Sequence, residues 1–94
     1  MGKGQTVGEQ TTNTLANVDA ALKQAGSSKE YILATTVWLK DIERDYDAMN
    51  VAYDEWVRTG PPPARVCVES KLAFEHLLVE IQVTAVKAPL KSEL

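Results

Sequence analysis

Several scarcities bound what this 94-residue chain can be. It has one cysteine and one histidine, so an internal disulfide is excluded and a zinc site of the usual Cys/His kind cannot be assembled. Carboxylate ligands are not excluded by such counting. Apolar runs are never longer than a few residues, which excludes a membrane-spanning helix. Basic clusters are missing too: 10 Lys and Arg are scattered among 13 Asp and Glu, for a net charge of −3. A nucleic-acid footprint is therefore not visible. Met1 to Gln5 lack the apolar centre of a signal peptide. With a lone cysteine besides, a cytoplasmic home is the default expectation.

What is present is ordinary for a globular protein, 45% hydrophobic and 24% charged. The length predicts one small domain over 1–94. Met1 to Gln5 and Lys87 to Leu94 read as loose ends. Thr6-Val7-Gly8-Glu9 has the spacing of a capping box, a hydroxyl followed three residues later by a carboxylate. Val7, Thr11, Leu15, Val18, Leu22 and Ala25 then recur at steps of three or four, predicting an amphipathic helix that ends at Gly26. Ser27 to Glu30 is a turn. Ile32 to Leu39 is rich in β-branched and aromatic residues and reads as a strand, its near-continuous apolarity predicting burial on both faces. Asp41 to Asp45 reads as a polar connection. Tyr46, Met49, Tyr53, Trp56 and Val57 form a second helical stripe, closed by Thr59, Gly60 and three prolines.

Two further strands follow. Val66 and Val68 alternate with Arg65, Cys67 and Glu69. Leu77, Val79, Ile81, Val83 and Ala85 alternate with Leu78, Glu80, Gln82 and Thr84. If these strands are neighbours and share their apolar side, Arg65 and Glu80 share the other. A cation and a carboxylate on one polar sheet face are the best candidates for chemistry in the chain. A solvated strand face with an incidental ion pair fits the same pattern. His76 lies between the strands with no nucleophile near it in sequence and reads as a solvated loop residue. Cys67, without a paired histidine, reads as a buried or pocket-lining thiol. Asn50 sits one step off the helical stripe, where a surface amide is equally at home.

The stretch Pro63-Ala64-Arg65, then Cys67, Lys71, Ala73 and Val79-Glu80-Ile81, resembles the signature of the RidA/YjgF family, whose other name is endoribonuclease L-PSP. Ala16 to Asp19, Ala25-Gly26, Ala34 to Val37 and Met49-Asn50 through Tyr53 extend the resemblance over nearly the whole chain. It implies an α+β fold of the chorismate-mutase-like type, with two helices on one face of a sheet. Members carry further strands before the first helix. This chain begins almost at that helix, so those strands and part of a pocket wall are expected to be missing.

The resemblance implies an imine deaminase acting on 2-aminoacrylate and related 2-imino acids, of the 2-iminobutanoate/2-iminopropanoate type. Arg65 would grip the substrate carboxylate, Glu80 would activate water, and Cys67 and Asn50 would line the binding site. No metal or cofactor is expected, because an imine is already electrophilic. It further implies a homotrimer with sites between subunits, and a sheet face left uncovered in a chain this small asks for such a partner. Two rivals remain: a non-catalytic trimeric module that binds small carboxylates or partners, and an endoribonuclease. The acidic balance argues against the second.

Overall fold

The computed structural model describes residues 5–58 and 60–89. In chain order it contains helix α1 (Val7–Gln24), a single 3-10 turn at Lys29–Tyr31, strand β1 (Ile32–Leu39), helix α2 (Ile42–Val57), strand β2 (Ala64–Glu69) and strand β3 (Val79–Ala85). The sheet order is β2-β1-β3, with β2 parallel and β3 antiparallel to the central β1. Both helices pack on one face of this mixed sheet, as expected of an α+β fold.

The predicted capping box of α1 is formed. Thr6 Oγ1 accepts from the Glu9 amide at 3.1 Å, and Glu9 Oε1 accepts from the Thr6 amide at 3.0 Å. At the other end Gly26 takes a positive φ of 79°, a left-handed turn in which a side chain would be strained. That turn lets Gly26 and Ser27 donate back to Lys23 and Leu22, which closes the helix. Losing one N-cap acceptor typically costs about 1 kcal/mol. Thr6→Ala is therefore expected to lower the urea midpoint without altering the slope, and an unchanged midpoint would show that the cap adds nothing.

α2 starts earlier than its apolar stripe suggests. Asp41 to Asp45, expected as a connection, holds the N-cap and first turn instead. Asp41 Oδ1 accepts from the Arg44 amide at 3.1 Å, and Glu69 at the end of β2 accepts from the Ile42 amide at 2.9 Å. Carboxylates gather there because free amides and the positive end of the helix dipole favour them. Asp45 turns inward and accepts two 2.9 Å bonds from Arg44.

The core lies between helices and sheet: Val7 and Leu15 from α1, Met49 and Tyr53 from α2, and Val37, Leu39 and Val79 from the sheet. Gln10 braces the long connection between β2 and β3, its amide donating to the His76 carbonyl at 3.0 Å and accepting from the Leu78 amide at 2.7 Å. The expectation that β1 is buried on both faces does not hold. Ile32, Thr35, Val37 and Leu39 are buried, but on the other side Ala34 is exposed and Thr36 and Trp38 are only half-buried, because among the described residues no layer covers the far side of the sheet. The loose ends expected at Met1 to Gln5 and Lys87 to Leu94 fall mostly outside the described residues. Among those described, no helix is long and apolar enough to cross a membrane.

Candidate functional site

The register decides which side chains share a face. Cα partners across the sheet are Arg65, Thr35 and Val83; Cys67, Val37 and Ile81; and Glu69, Leu39 and Val79. Partnered residues point to the same side. Thr35, Val37 and Leu39 are the buried side of β1, so Arg65 and Cys67 face the helices too. The other side carries Val66, Val68, Trp38, Glu80 and Gln82.

Two expectations are therefore corrected. β2 and β3 are not neighbours: β1 lies between them. Nor do Arg65 and Glu80 share a face. Glu80 sits opposite Trp38 on the open side, while Arg65 reaches under α2. They are two strands and three residues apart, about 10 Å across and about 10 Å along the sheet by standard spacings. The valines of β2 were expected inside; they are 56% and 40% exposed at Val66 and Val68. Alternation fixed the two faces of β2 but not which one points inward.

Around Arg65 the structure does assemble a site. Nη1 donates to Asn50 Oδ1 at 2.6 Å and to Met49 Sδ at 3.7 Å, and Nη2 donates to Tyr46 Oη at 3.3 Å. The guanidinium carbon lies 4.8 Å from the centroid of the Tyr53 ring and 5.9 Å from that of Tyr46. Tyr46, Met49/Asn50 and Tyr53 come from successive turns of α2, so one helix face builds the whole surround. Arg65 enters β2 directly after three prolines that restrict the backbone ahead of it. Tyr53 is fixed in turn, its hydroxyl donating to buried Thr35 Oγ1 at 3.2 Å.

No carboxylate lies within salt-bridge distance of Arg65 among the described residues. A half-buried guanidinium with aromatic faces, a neutral amide anchor and no counter-ion among the described residues has the chemistry to receive an anion. Asn50, the weakest candidate from sequence, is in direct contact with it. The two tyrosines were legible as part of the helical stripe, but periodicity assigns such residues to the core. Their role shows only once β2 is placed beside them.

Cys67 lies two residues beyond Arg65 on the same face, half-buried and free. Burial pushes its thiol above the ordinary value, and the nearby Arg65 charge offsets this in part. A raised pKa means less thiolate at a given pH. Alkylation of Cys67 by iodoacetamide is thus expected to reach half its maximal rate at a higher pH than a free thiol; a lower midpoint would contradict that environment. His76 is exposed and stacks on Phe74, with ring centroids 6.0 Å apart, in the connection from Ser70 to Leu78. Among the described residues no group of three or more His, Cys, Asp or Glu is placed to hold a metal.

Comparison with known proteins agrees with this fold. A family model described as endoribonuclease L-PSP matches residues 1–87. The RutC family protein YoaB of Escherichia coli K12 is 46% identical over 77 residues, covering 82% of this chain and 67% of its own. A RutC family protein of Haemophilus influenzae is 43% identical over 81 residues, 86% of this chain and 69% of its own. The crystal structure of NMB1025, a YjgF family member from Neisseria meningitidis, superposes with a TM-score of 0.88 at 43% identity, over 94% of this chain and 73% of that one. The chain thus spans about two thirds to three quarters of the length of these relatives.

Proposed function

Because the chain belongs to the endoribonuclease L-PSP family, also called RidA/YjgF or RutC, we propose that it is a deaminase that hydrolyses small 2-imino acids to 2-oxo acids and ammonia. The observation that carries this reading is the guanidinium of Arg65, without a carboxylate partner among the described residues and held by Asn50 and two tyrosine rings. A guanidinium matches a carboxylate in charge and shape and stays charged at any physiological pH. Bound there, a 2-imino acid presents its C2 to water. Water adds to C2 and one of its protons passes to the nitrogen, giving a carbinolamine; the remaining hydroxyl proton then passes to the nitrogen as C=O forms and the C–N bond breaks, releasing ammonia and leaving the 2-oxo acid. An imine is electrophilic enough that no metal or cofactor enters this scheme.

Glu80 is the candidate base for that water. Within one chain it lies on the opposite sheet face from Arg65, so it meets the Arg65 ligand only if a second copy supplies it. The open face offers the means. Val66 and Val68 are exposed on it beside Trp38 and Glu80, the kind of surface a small sheet buries against another copy. A homotrimer with sites between subunits accommodates both requirements.

One observation favours a second reading. Since Arg65 is complete in one chain and Glu80 is not beside it, the chain on its own is equipped to bind a small carboxylate without hydrolysing it. Ribonuclease action, suggested by the family's description, is less well supported: the net charge is −3 and no basic cluster surrounds the site. Ammonia release from freshly generated 2-iminopropionate, run beside an RNA substrate, separates the three. Ammonia without RNA cleavage is the expected result. Neither product, with pyruvate still bound, would leave the binding module.

A further inference from the structure

Resting on that carboxylate-site reading, we propose that Tyr46 is a specificity-determining residue: its hydroxyl supplies the site's third donor and selects acids that carry a hydrogen-bond acceptor at C2. The guanidinium hydrogens are unevenly committed. Both hydrogens of Nη1 have partners, Asn50 Oδ1 at 2.6 Å and Met49 Sδ at 3.7 Å. Nη2 gives one hydrogen to Tyr46 Oη at 3.3 Å. Nε has no partner among the described residues. Nε and the second hydrogen of Nη2 are therefore the donors left for a planar carboxylate, which can accept from both along that edge.

Tyr46 stands at the Nη2 end of that edge. As it accepts from Nη2, its own hydroxyl hydrogen points away from the guanidinium and is free to donate. The residue is 38% exposed, so a ligand can reach it. Tyr53 cannot play this part: it is 3% exposed, and its hydroxyl hydrogen is already directed to Thr35. For a carboxylate docked on the Nε/Nη2 edge, the next atom along toward Tyr46 is the substituent on C2. In a 2-oxo acid this is a carbonyl oxygen, and in a neutral 2-imino acid a nitrogen with a lone pair; both accept. A simple alkanoate offers only hydrogen on carbon there. The phenol thus distinguishes the two classes by a bond that one can make and the other cannot.

The test compares pyruvate with propionate, acids of equal length that differ at C2. Each is titrated into the parent protein and Tyr46→Phe, with calorimetric or NMR detection. The Phe variant keeps the ring beside Arg65 and loses only the hydroxyl. The parent is expected to prefer pyruvate. Tyr46→Phe should weaken pyruvate about five- to tenfold, the effect of one neutral hydrogen bond, and leave propionate within about twofold. Loss of fold or of Arg65 posture would depress both acids together, and that result, or undiminished pyruvate binding, overturns the assignment. If the parent binds neither acid, the carboxylate reading of Arg65 falls and this inference falls with it. Parent binding with unaltered selectivity in the variant sinks the Tyr46 role alone.

Discussion

Arg65→Ala should weaken binding of pyruvate or 2-oxobutyrate by at least about tenfold, since charge-assisted hydrogen bonds contribute roughly 1.5–3 kcal/mol each. Arg65 is the one cation at the centre of the site, and its surround is neutral: Asn50, Met49, Tyr46 and Tyr53. Truncation removes the ligand's counter-charge and leaves nothing nearby to replace it. Arg65→Lys should recover only part of the affinity. An ammonium neither reproduces the planar fork nor spreads its charge beside the Tyr53 ring, whose centroid lies 4.8 Å from the guanidinium carbon. Calorimetric titration of the three proteins, with circular dichroism to show that each is folded, makes the comparison. Equal affinity in all three would rule out Arg65 as the anchor.

Glu80→Gln should retain 2-oxo acid affinity within about twofold and lose about 10²- to 10⁴-fold in imine hydrolysis, the usual contribution of a general base. The substitution keeps size and shape on β3 and removes only the basic oxygen. Glu80 is half-buried opposite Trp38 and makes no ion pair among the described residues, so no structural partner is lost with its charge. Its separation from Arg65 explains why binding and turnover should split so cleanly between the two residues. Hydrolysis at the parent rate by the Gln variant would mean that Glu80 does not activate water.

What was readable in advance follows from what each pattern encodes. Caps are local chemistry, so Thr6, Glu9 and Gly26 marked both ends of α1 correctly. The inward set of β3, Val79, Ile81 and Val83, was readable because every alternate residue is apolar. On β2 the same logic failed. Apolar Val66 and Val68 were assigned inward, but the inward face is the one that meets α2, and there the Arg65 guanidinium finds Asn50 and two aromatic rings. A cation that is satisfied by a distant helix cannot be recognised from its own strand. Strand order was illegible for a related reason: the connection from Ser70 to Leu78 is long enough to pass β1, so adjacency in sequence did not become adjacency in the sheet. The start of α2 was missed because Asp41 and Asp45 look like loop residues. Asp41 caps the helix by accepting from the Arg44 amide and Asp45 lies in its first turn, with Glu69 at the end of β2 accepting from the Ile42 amide. Asn50 came from family resemblance, and Tyr46 from neither source as a site residue.

That Arg65 binds and Glu80 reacts, each from a different copy of the chain, is tested most directly by mixing two inactive variants. Arg65→Ala and Glu80→Gln proteins are unfolded together in equal amounts, refolded and assayed for ammonia release from 2-iminopropionate. A site that draws Arg65 from one copy and Glu80 from its neighbour is intact whenever a Glu80→Gln chain supplies the arginine and an Arg65→Ala chain supplies the carboxylate. Random assembly then restores about one quarter of the parent activity. A mixture no more active than the mean of the two variants, from parents that assemble normally by light scattering, would contradict a site shared between copies.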